Sequence, residues 1–386
     1  MRILFCSQAA HTGGGVEAWM EALTSALLAR GHEVHTALAK GRFHDPMRYA
    51  ARHVVANPIE VDGADTSREV RIANLLRVFE RVQPDIIIPV NLADALYAAS
   101  YAKTKGPAWR LALCIHSQGE DRLEQVRSCA PFIDLAVSVS RRVTMQLEGI
   151  VPNVRHIPTG VPLPLAPPRK RERIEQIAYA GRLDDAEKRV LDLIPLMHEL
   201  DGVTLHIAGR GPDEPRLREG LRGMPVVFHG DLSRAELYET FYPRIDAIVV
   251  FSPAEAGPIV AWEAMAHGVV PIVSDFIGRE EEGVLRDRVF PVGDIAAAAM
   301  LIRESPPTRV ELPSAYTLPV FEQSWQDALS TLTAMPTRRG PAAALPSLVS
   351  TGRLARLGLG LEGMARVRRL LGHHFEHHDP GSEWPH

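Results

Sequence analysis

The chain of 386 residues has few cysteines, few aromatic residues and no long apolar run. Its three cysteines, Cys6, Cys114 and Cys129, form neither an even-numbered set nor a Cys-x-x-Cys pair, which excludes a disulfide scaffold and suits a reducing compartment. No stretch approaches the roughly 20 apolar residues that cross a bilayer. The formal net charge of −4 gives no overall positive charge of the kind that binds nucleic acids. These absences predict a cytoplasmic protein, soluble or peripheral to a membrane, with no nucleic-acid partner.

Several catalytic motifs are also missing. The chain has no Asp-x-Asp, and its histidines show no metal-ligand spacing before the last residues, so we expect no metal site. A Gly-x-Ser-x-Gly elbow and the protein-kinase motifs are absent as well, which argues against a serine hydrolase and a kinase.

Short apolar runs alternate with helical patterns along most of the chain, as in parallel sheets covered by helices on both faces. The predicted strands are Arg2–Cys6, Glu33–Leu38, Asp85–Val90, Arg110–Ile115, Leu135–Val139, Gln176–Ala180, Val203–Ala208, Val226–His229, Ala247–Phe251 and Val270–Ser274. A proline-rich, charged stretch after residue 162 reads as a linker. The pattern therefore predicts an α/β protein with two Rossmann-like, doubly wound domains that face each other across a ligand cleft.

The most informative stretch begins a helix near Pro258. Proline is favoured at the first helical position, and Gly257 before it permits a tight turn, so the amides of Ile259 and Val260 should point outward. Such a helix start is a ready site for phosphate.

Two carboxylates flank this helix start. Glu255 falls in the preceding loop and Glu263 on the second turn, at most about 12 Å apart at roughly 1.5 Å per residue. That separation is too long for one small group but suits an elongated ligand centred on phosphate, such as a nucleotide sugar.

A pair of cations follows the first strand of the second half. Arg182 and Lys188 should lie at the carboxyl end of that strand, where open sheets bind ligands. Fixed positive charges there can stabilise a diphosphate as it leaves. An ordinary solvated basic pair is the alternative.

Four further residues point to the same cleft. Gly14 and Gly15 begin a helix and offer unencumbered amides, although a purely structural turn is the alternative. Gly209 lies in a glycine-rich loop after a strand, where glycine permits a tight turn. His116 ends its strand and should project into the cleft, and a structural role is the alternative to a functional one.

Taken in order, these motifs resemble the retaining glycosyltransferases of family 4, which have the GT-B fold and a Glu-x7-Glu signature. The resemblance implies that Glu255 contacts the donor sugar, Glu263 binds the ribose, and residues 257–260 bind phosphate. It implies catalytic roles for Glu255, Arg182, Lys188 and His116. It also implies that His116 contacts the donor or the acceptor and that Gly209 helps to form the wall of the nucleotide pocket. In the family Lys188 is followed by glycine, and Arg189 here puts the local turn in doubt.

The resemblance also predicts the domain limits and the reaction. We expect an acceptor-side domain at residues 1–163, a donor-binding domain at 172–318, a helix at 319–335 that crosses back, and a basic, partly disordered tail at 336–386. The implied activity is transfer of a sugar from an NDP-sugar co-substrate, without a cofactor, to a saccharide or lipid-linked acceptor, with retained configuration. The rivals are a catalytically silent nucleotide-binding paralogue in a polysaccharide-assembly complex and a GT-B nucleotide-sugar epimerase.

Two segments raise the prospect of an anionic membrane surface as a partner, at the inner face of the membrane. The helix predicted at residues 67–82 carries four arginines and an apolar face, and the tail is rich in arginine. The alternative is that both are ordinary solvated faces.

Overall fold

A computed structural model of the chain describes residues 1–8, 14–40, 45–62, 68–106, 109–117, 119–164, 173–282, 285–304 and 311–340. Most of the predicted linker, which follows residue 162, and the tail beyond residue 340 lie outside these ranges.

The first domain is built on a sheet of seven parallel strands in the order β3-β2-β1-β4-β5-β6-β7. Its strands are β1 Arg2–Gln8, β2 Glu33–Lys40, β3 Pro58–Asp62, β4 Ile86–Val90, β5 Arg110–Ile115, β6 Leu135–Ser138 and β7 Val154–His156. Its helices are α1 Gly15–Ala29, α2 Pro46–Arg52, α3 Arg68–Val82, α4 Ala93–Lys103, α5 Glu120–Cys129 and α6 Arg141–Leu147. Separate apolar clusters pack on the two faces of the sheet, which explains why its inner strands are almost wholly buried.

The second domain repeats this arrangement with six parallel strands in the order β10-β9-β8-β11-β12-β13. Its strands are β8 Gln176–Ala180, β9 Thr204–Ala208, β10 Val226–Gly230, β11 Ala247–Val250, β12 Val270–Ser274 and β13 Val289–Phe290. Its helices are α7 Asp185–Lys188, α8 Leu193–Glu199, α9 Glu214–Gly220, α10 Arg234–Glu236, α11 Ile259–Ala266, α12 Arg279–Glu282 and α13 Ile295–Glu304. The predicted pair of doubly wound domains is confirmed.

In each sheet the strand order reverses beside the first strand of the domain. In the first sheet this point lies between β1 and β4, and in the second it lies between β8 and β11. Ligands of open α/β sheets bind outside the carboxyl ends of the strands at such a switch point. The loops that follow these four strands are therefore the first place to look for a site.

Helix α14, Leu318–Ala334, begins after the second domain and packs on the first. Its Phe321 and Trp325 are buried with Trp19 of α1. The segment that leaves the first domain passes beside the start of α14. Val161 of that segment forms a parallel bridge with Thr317, the residue before α14. A Cβ atom at Gly160 would lie 2.4 Å from Cβ of Phe321, so only glycine fits this crossing.

Helix α3 differs from the amphipathic surface helix considered from the sequence. Ile72, Leu75 and Phe79 are buried in the core of the first domain. Arg71 is also buried, and its Nε donates to Asp94 at 2.5 Å. The apolar face of α3 is therefore covered by its own domain and unavailable to a lipid surface.

Three edge strands, β3, β7 and β13, were absent from the sequence expectation. They are short, and β7 has no fully buried residue. A second difference concerns α11, which begins at Ile259, so that Pro258 precedes the helix instead of occupying its first position.

Arg110 anchors the carboxyl end of α14 to the first sheet. Its Nε donates to the carbonyl of Leu332 at 2.7 Å, and its Nη2 donates to those of Thr333 and Met335 at 2.7 and 2.8 Å. The last carbonyls of a helix lack partners within it, so one guanidinium satisfies three such groups.

Replacing Arg110 with Ala should lower the free energy of unfolding by about 2 kcal/mol, because hydrogen bonds to a charged group are lost. Arg155→Ala is the control, since Arg155 lies exposed in β7, and its effect should stay within about 0.5 kcal/mol. Urea unfolding measures both. Equal effects of the two substitutions would contradict the anchoring role.

Candidate active site

The start of α11 faces the first domain. Gly257 has φ +114, a conformation that favours glycine, and a Cβ atom there would lie 3.4 Å from the carbonyl oxygen of Val139 at the end of β6. A Cβ atom on Gly15 would lie 3.5 Å from Cγ2 of Ile259. These contacts place the amides of Ile259 and Val260 where the two domains meet. The first amides of a helix have no partner within the helix, so they can bind a ligand.

An ion pair joins two of the predicted catalytic residues. Lys188 Nζ donates to Glu255 Oε1 at 2.7 Å, and the side chains are 25% and 15% exposed. Lys188 ends the short helix after β8, and Glu255 lies in the loop after β11, so the pair spans the switch point of the second sheet. The sequence assigns Lys188 to the diphosphate and Glu255 to the sugar of the donor, and in the structure the two side chains contact each other.

Arg182 lies on the same loop as Lys188. Its guanidinium pairs with Glu187, and its carbonyl accepts from the hydroxyl of Tyr179 at 2.6 Å. Across the cleft, burial raises the pKa of Glu17, while the charge of Arg182 is among the effects that oppose the rise. Arg182 is therefore near enough to the first domain to act on a ligand held between the two.

Glu17 changes the expectation for the glycine-rich loop. Its Oε2 lies 2.9 Å from where a Cβ atom on Gly14 would stand, and the residue is buried. The carboxyl group of Glu17 therefore lies beside Gly14, and the space around this glycine is less open than the sequence predicts. Donor binding by Gly14 and Gly15 stays a prediction. Gly13 lies outside the described residues.

The turn that Arg189 put in doubt is present. Arg189 has φ +48 and ψ +39, the left-handed conformation that glycine adopts without cost. Its Nε and Nη2 donate to the carboxylate of Asp192 at 2.8 and 3.2 Å. This two-point contact helps hold Arg189 in the left-handed conformation, so the turn is made without the family glycine.

Packing against the neighbouring loop requires a glycine at position 209. A Cβ atom there would lie 1.9 Å from the carbonyl oxygen of Gly181, and its φ is +137. Its amide donates to the carbonyl of Gly230 at 2.7 Å. Gly211, which the sequence did not single out as a ligand contact, has the same role against Leu183, where a Cβ atom would be 2.3 Å from the carbonyl oxygen. These glycines let two strand-end loops touch.

His116 ends β5 as predicted and is half-buried. Its ring packs edge-on against Trp19, with centroids 4.7 Å apart, and its Nε2 is 3.3 Å from Sγ of Cys114. Burial lowers the pKa of His116 to about 3. The ring is therefore neutral at physiological pH, so it can share a hydrogen bond with a ligand but does not supply a positive charge.

Glu263 lies on the second turn of α11, as expected, but it is buried. The hydroxyls of Tyr238 and Tyr242 donate to its Oε1 and Oε2, each at 2.7 Å. Nothing in the sequence links these tyrosines to a carboxylate more than 20 residues further on, so sequence reasoning missed them.

Two ion pairs join the domains at the rim of the cleft. Arg52 of α2 contacts Asp231 at 2.8 Å, and Arg234 of α10 contacts Glu21 of α1 at 3.3 Å. Both pairs are partly exposed, and surface pairs contribute roughly 0–1 kcal/mol each, so they hold the rim only weakly.

The described residues contain no group of three or more His, Cys, Asp and Glu side chains arranged to hold a metal ion. Metal independence stays a prediction. Among the described helices, none combines the length and apolar character needed to cross a bilayer.

Two family models match successive parts of the chain. The model for glycosyltransferase family 4 matches residues 13–164, and the model for glycosyl transferases group 1 matches residues 175–304. The lipopolysaccharide 1,6-galactosyltransferase of Salmonella typhimurium is 24% identical over 220 residues, which are 54% of this chain and 61% of the relative. That of Escherichia coli is 24% identical over 251 residues, 61% of this chain and 70% of the relative. The Salmonella match thus spans less than two thirds of that protein.

Solved structures share the fold over 86% of the chain. The lipopolysaccharide outer core galactosyltransferase WaaB, in its apo form, matches with a TM-score of 0.66 at 17% identity and is covered over 99% of its length. Anabaena HepE in complex with UDP and glucose matches with a TM-score of 0.66 at 16% identity and is covered completely, at 100%.

Two facing Rossmann-like domains with a cleft at their switch points define a protein of the GT-B fold. Family models match most of the first domain and most of the second, so the chain is a glycosyltransferase similar to family 4.

The low pKa of His116 gives a direct test. Between pH 8 and 5 its ring signal in histidine-labelled NMR spectra should not move, because its pKa is about 3. The same histidine in urea should titrate near the ordinary value of about 6.5. Since only the unfolded chain then binds the proton, this residue should lower stability as the pH falls below about 6.5.

The His116→Gln variant identifies the signal and serves as the control. A ring signal of the native protein that titrates with a midpoint near 6, and that this variant lacks, would refute the burial argument.

Proposed function

We propose that this protein transfers a sugar from a nucleoside-diphosphate sugar to a saccharide or lipid-linked acceptor, with retention of configuration. The observation that carries the proposal is the meeting of three features at one crevice: the Lys188–Glu255 pair, the start of α11, and Gly15 of the facing domain. Together they bring a positive charge, helix amides and a carboxylate to the place where the two domains meet.

The diphosphate of the donor would lie over the amides of Ile259 and Val260, with Lys188 and Arg182 beside it. It would compete with Glu255 for the ammonium group of Lys188, which releases the Glu255 carboxylate towards the sugar. The helix start favours negative charge, and the two cations stabilise the charge that grows as the diphosphate leaves.

In the proposed reaction the bond between the anomeric carbon and the phosphate oxygen breaks, and a bond to the acceptor oxygen forms on the same face of the sugar. The acceptor proton passes to the departing phosphate. We assign Glu255 to positioning and electrostatics and not to nucleophilic attack. His116, being neutral, would contribute a hydrogen bond to the sugar or to the acceptor.

Donor and acceptor classes follow from the relatives. The two lipopolysaccharide galactosyltransferases and HepE in complex with UDP-glucose make a UDP-hexose the first donor to test. A lipid-anchored saccharide of the cell surface is the corresponding acceptor, which would place the reaction at the cytoplasmic face of a membrane. Helix α3 would not mediate contact with that membrane, because its apolar face is buried.

A thermal-shift screen of UDP, GDP, ADP and their sugars tests the proposal, each with and without a chelator. A nucleotide at 100 times its dissociation constant should stabilise the protein by roughly 2.7 kcal/mol. Incubation of the stabilising sugar nucleotide with acceptor lipids then reports transfer. If the protein binds a sugar nucleotide but neither transfers nor hydrolyses it, a silent paralogue is favoured. If it binds none of these nucleotides, the proposal is refuted.

Replacing Lys188 with Ala should lower turnover more than tenfold, a loss above about 1.4 kcal/mol in transition-state stabilisation. The cause is the loss of the cation that faces the leaving diphosphate. Product formation under saturating donor is the measurement.

Lys105→Ala is the matched control, because Lys105 is an exposed lysine between α4 and β5. It precedes β5 and so lies at the amino-terminal ends of the strands, away from the carboxyl ends that face the site. Its turnover should equal that of the native protein. Unchanged turnover in the Lys188 variant would remove this residue from the mechanism.

A further inference from the structure

The carboxylate of Glu263 is held between two tyrosines. Tyr238 and Tyr242 each donate to a different oxygen at 2.7 Å. Glu263 is 7% exposed and Tyr242 is fully buried, whereas Tyr238 is partly exposed. One member of this three-residue group therefore reaches solvent.

The two tyrosines belong to an unusual helical segment. A capping box at Ser233 and Glu236 starts it, and residues 237–241 then form a π-helical turn. Such turns are rare and occur frequently at functional sites. This turn places two hydroxyls from residues four positions apart on a single carboxylate.

His267 fixes the same group from the other side. Its Nδ1 is 2.8 Å from the carbonyl oxygen of Glu263, and its ring stacks on Tyr242 with centroids 5.1 Å apart. The centroid of the Tyr238 ring is 5.2 Å away. The side chain of Glu263 thus has little freedom to rotate.

Hydrogen-bond capacity shows what this arrangement can bind. A carboxylate offers about four acceptor positions, and the two tyrosines fill one on each oxygen. Leaving the remainder unfilled in a buried place is costly. Because both neighbours donate to it, the carboxylate can only accept from a ligand, and a pair of adjacent hydroxyls matches its two oxygens.

The family resemblance assigns the ribose of the donor to Glu263. We propose that Tyr238 and Tyr242 are positioning residues that hold the Glu263 carboxylate so that it accepts from the 2′- and 3′-hydroxyls. Tyr238, at the open side, sets the discrimination between ribose and 2′-deoxyribose. This inference rests on the proposed function, since it requires a nucleotide donor. Charges from both domains surround Tyr238, with Arg234 and Glu21 among them, so it lies where the cleft closes.

Calorimetric titration of the native protein and of Tyr238→Phe tests the inference with UDP, GDP and ADP, each beside its 2′-deoxy counterpart. The native protein should bind the ribonucleotide about tenfold more tightly, the scale of one hydrogen bond to a charged group. In Tyr238→Phe this ratio should fall below about threefold, mainly through weaker binding of the ribonucleotide.

Tyr316→Phe is the matched control, because Tyr316 is likewise a buried tyrosine that donates to a glutamate, Glu282, at 3.0 Å. It should leave the ratio unchanged. Tyr242→Phe provides a second test of the ratio, with folding of each variant verified by its melting curve.

A ratio that survives in both Tyr238→Phe and Tyr242→Phe would overturn this inference and leave the proposed function intact. If the native protein bound none of the nucleotides, both would fall. A ratio that also collapses in Tyr316→Phe would mean a general loss of packing and would overturn the specific role.

Discussion

The salt bridge between Lys188 and Glu255 is the contact on which the account of this protein depends. It exists because β8 and β11 are parallel neighbours, so their carboxyl ends bring two loops to one point of the sheet. Both side chains are mostly withdrawn from solvent, where an unpaired charge is costly. An anionic ligand that takes over the lysine must therefore leave the glutamate another partner, and the sugar hydroxyls of the same ligand can provide it.

The second domain alone does not complete the site. Gly257 lies against Val139, and Gly15 lies against Ile259, so the position of the first domain decides what fits over the start of α11. On one side of the interface, buried Glu282 accepts from the first amide of α6 at 2.9 Å and from Tyr316 at 3.0 Å. On the other side, the domains meet through partly exposed ion pairs, which contribute little.

Much of this could be predicted from the sequence because the signals are local. Apolar runs marked the inner strands, and the spacing of Glu255 and Glu263 marked α11. Contacts between distant segments could not be predicted in this way. The carboxylate of Glu17 over Gly14, the tyrosines on Glu263 and the pairing of Lys188 with Glu255 arise only once the chain is folded. Arg189 misled for a different reason, since its left-handed conformation is supported by Asp192.

A crystal structure with the nucleoside diphosphate that stabilises the protein would test the central claim most directly. The account predicts diphosphate oxygens about 3 Å from Nζ of Lys188 and from the amides of Ile259 and Val260, a typical distance for charge-assisted hydrogen bonds. It also predicts that Glu255 no longer contacts Lys188. A nucleotide bound elsewhere, with the Lys188–Glu255 pair unbroken, would contradict it.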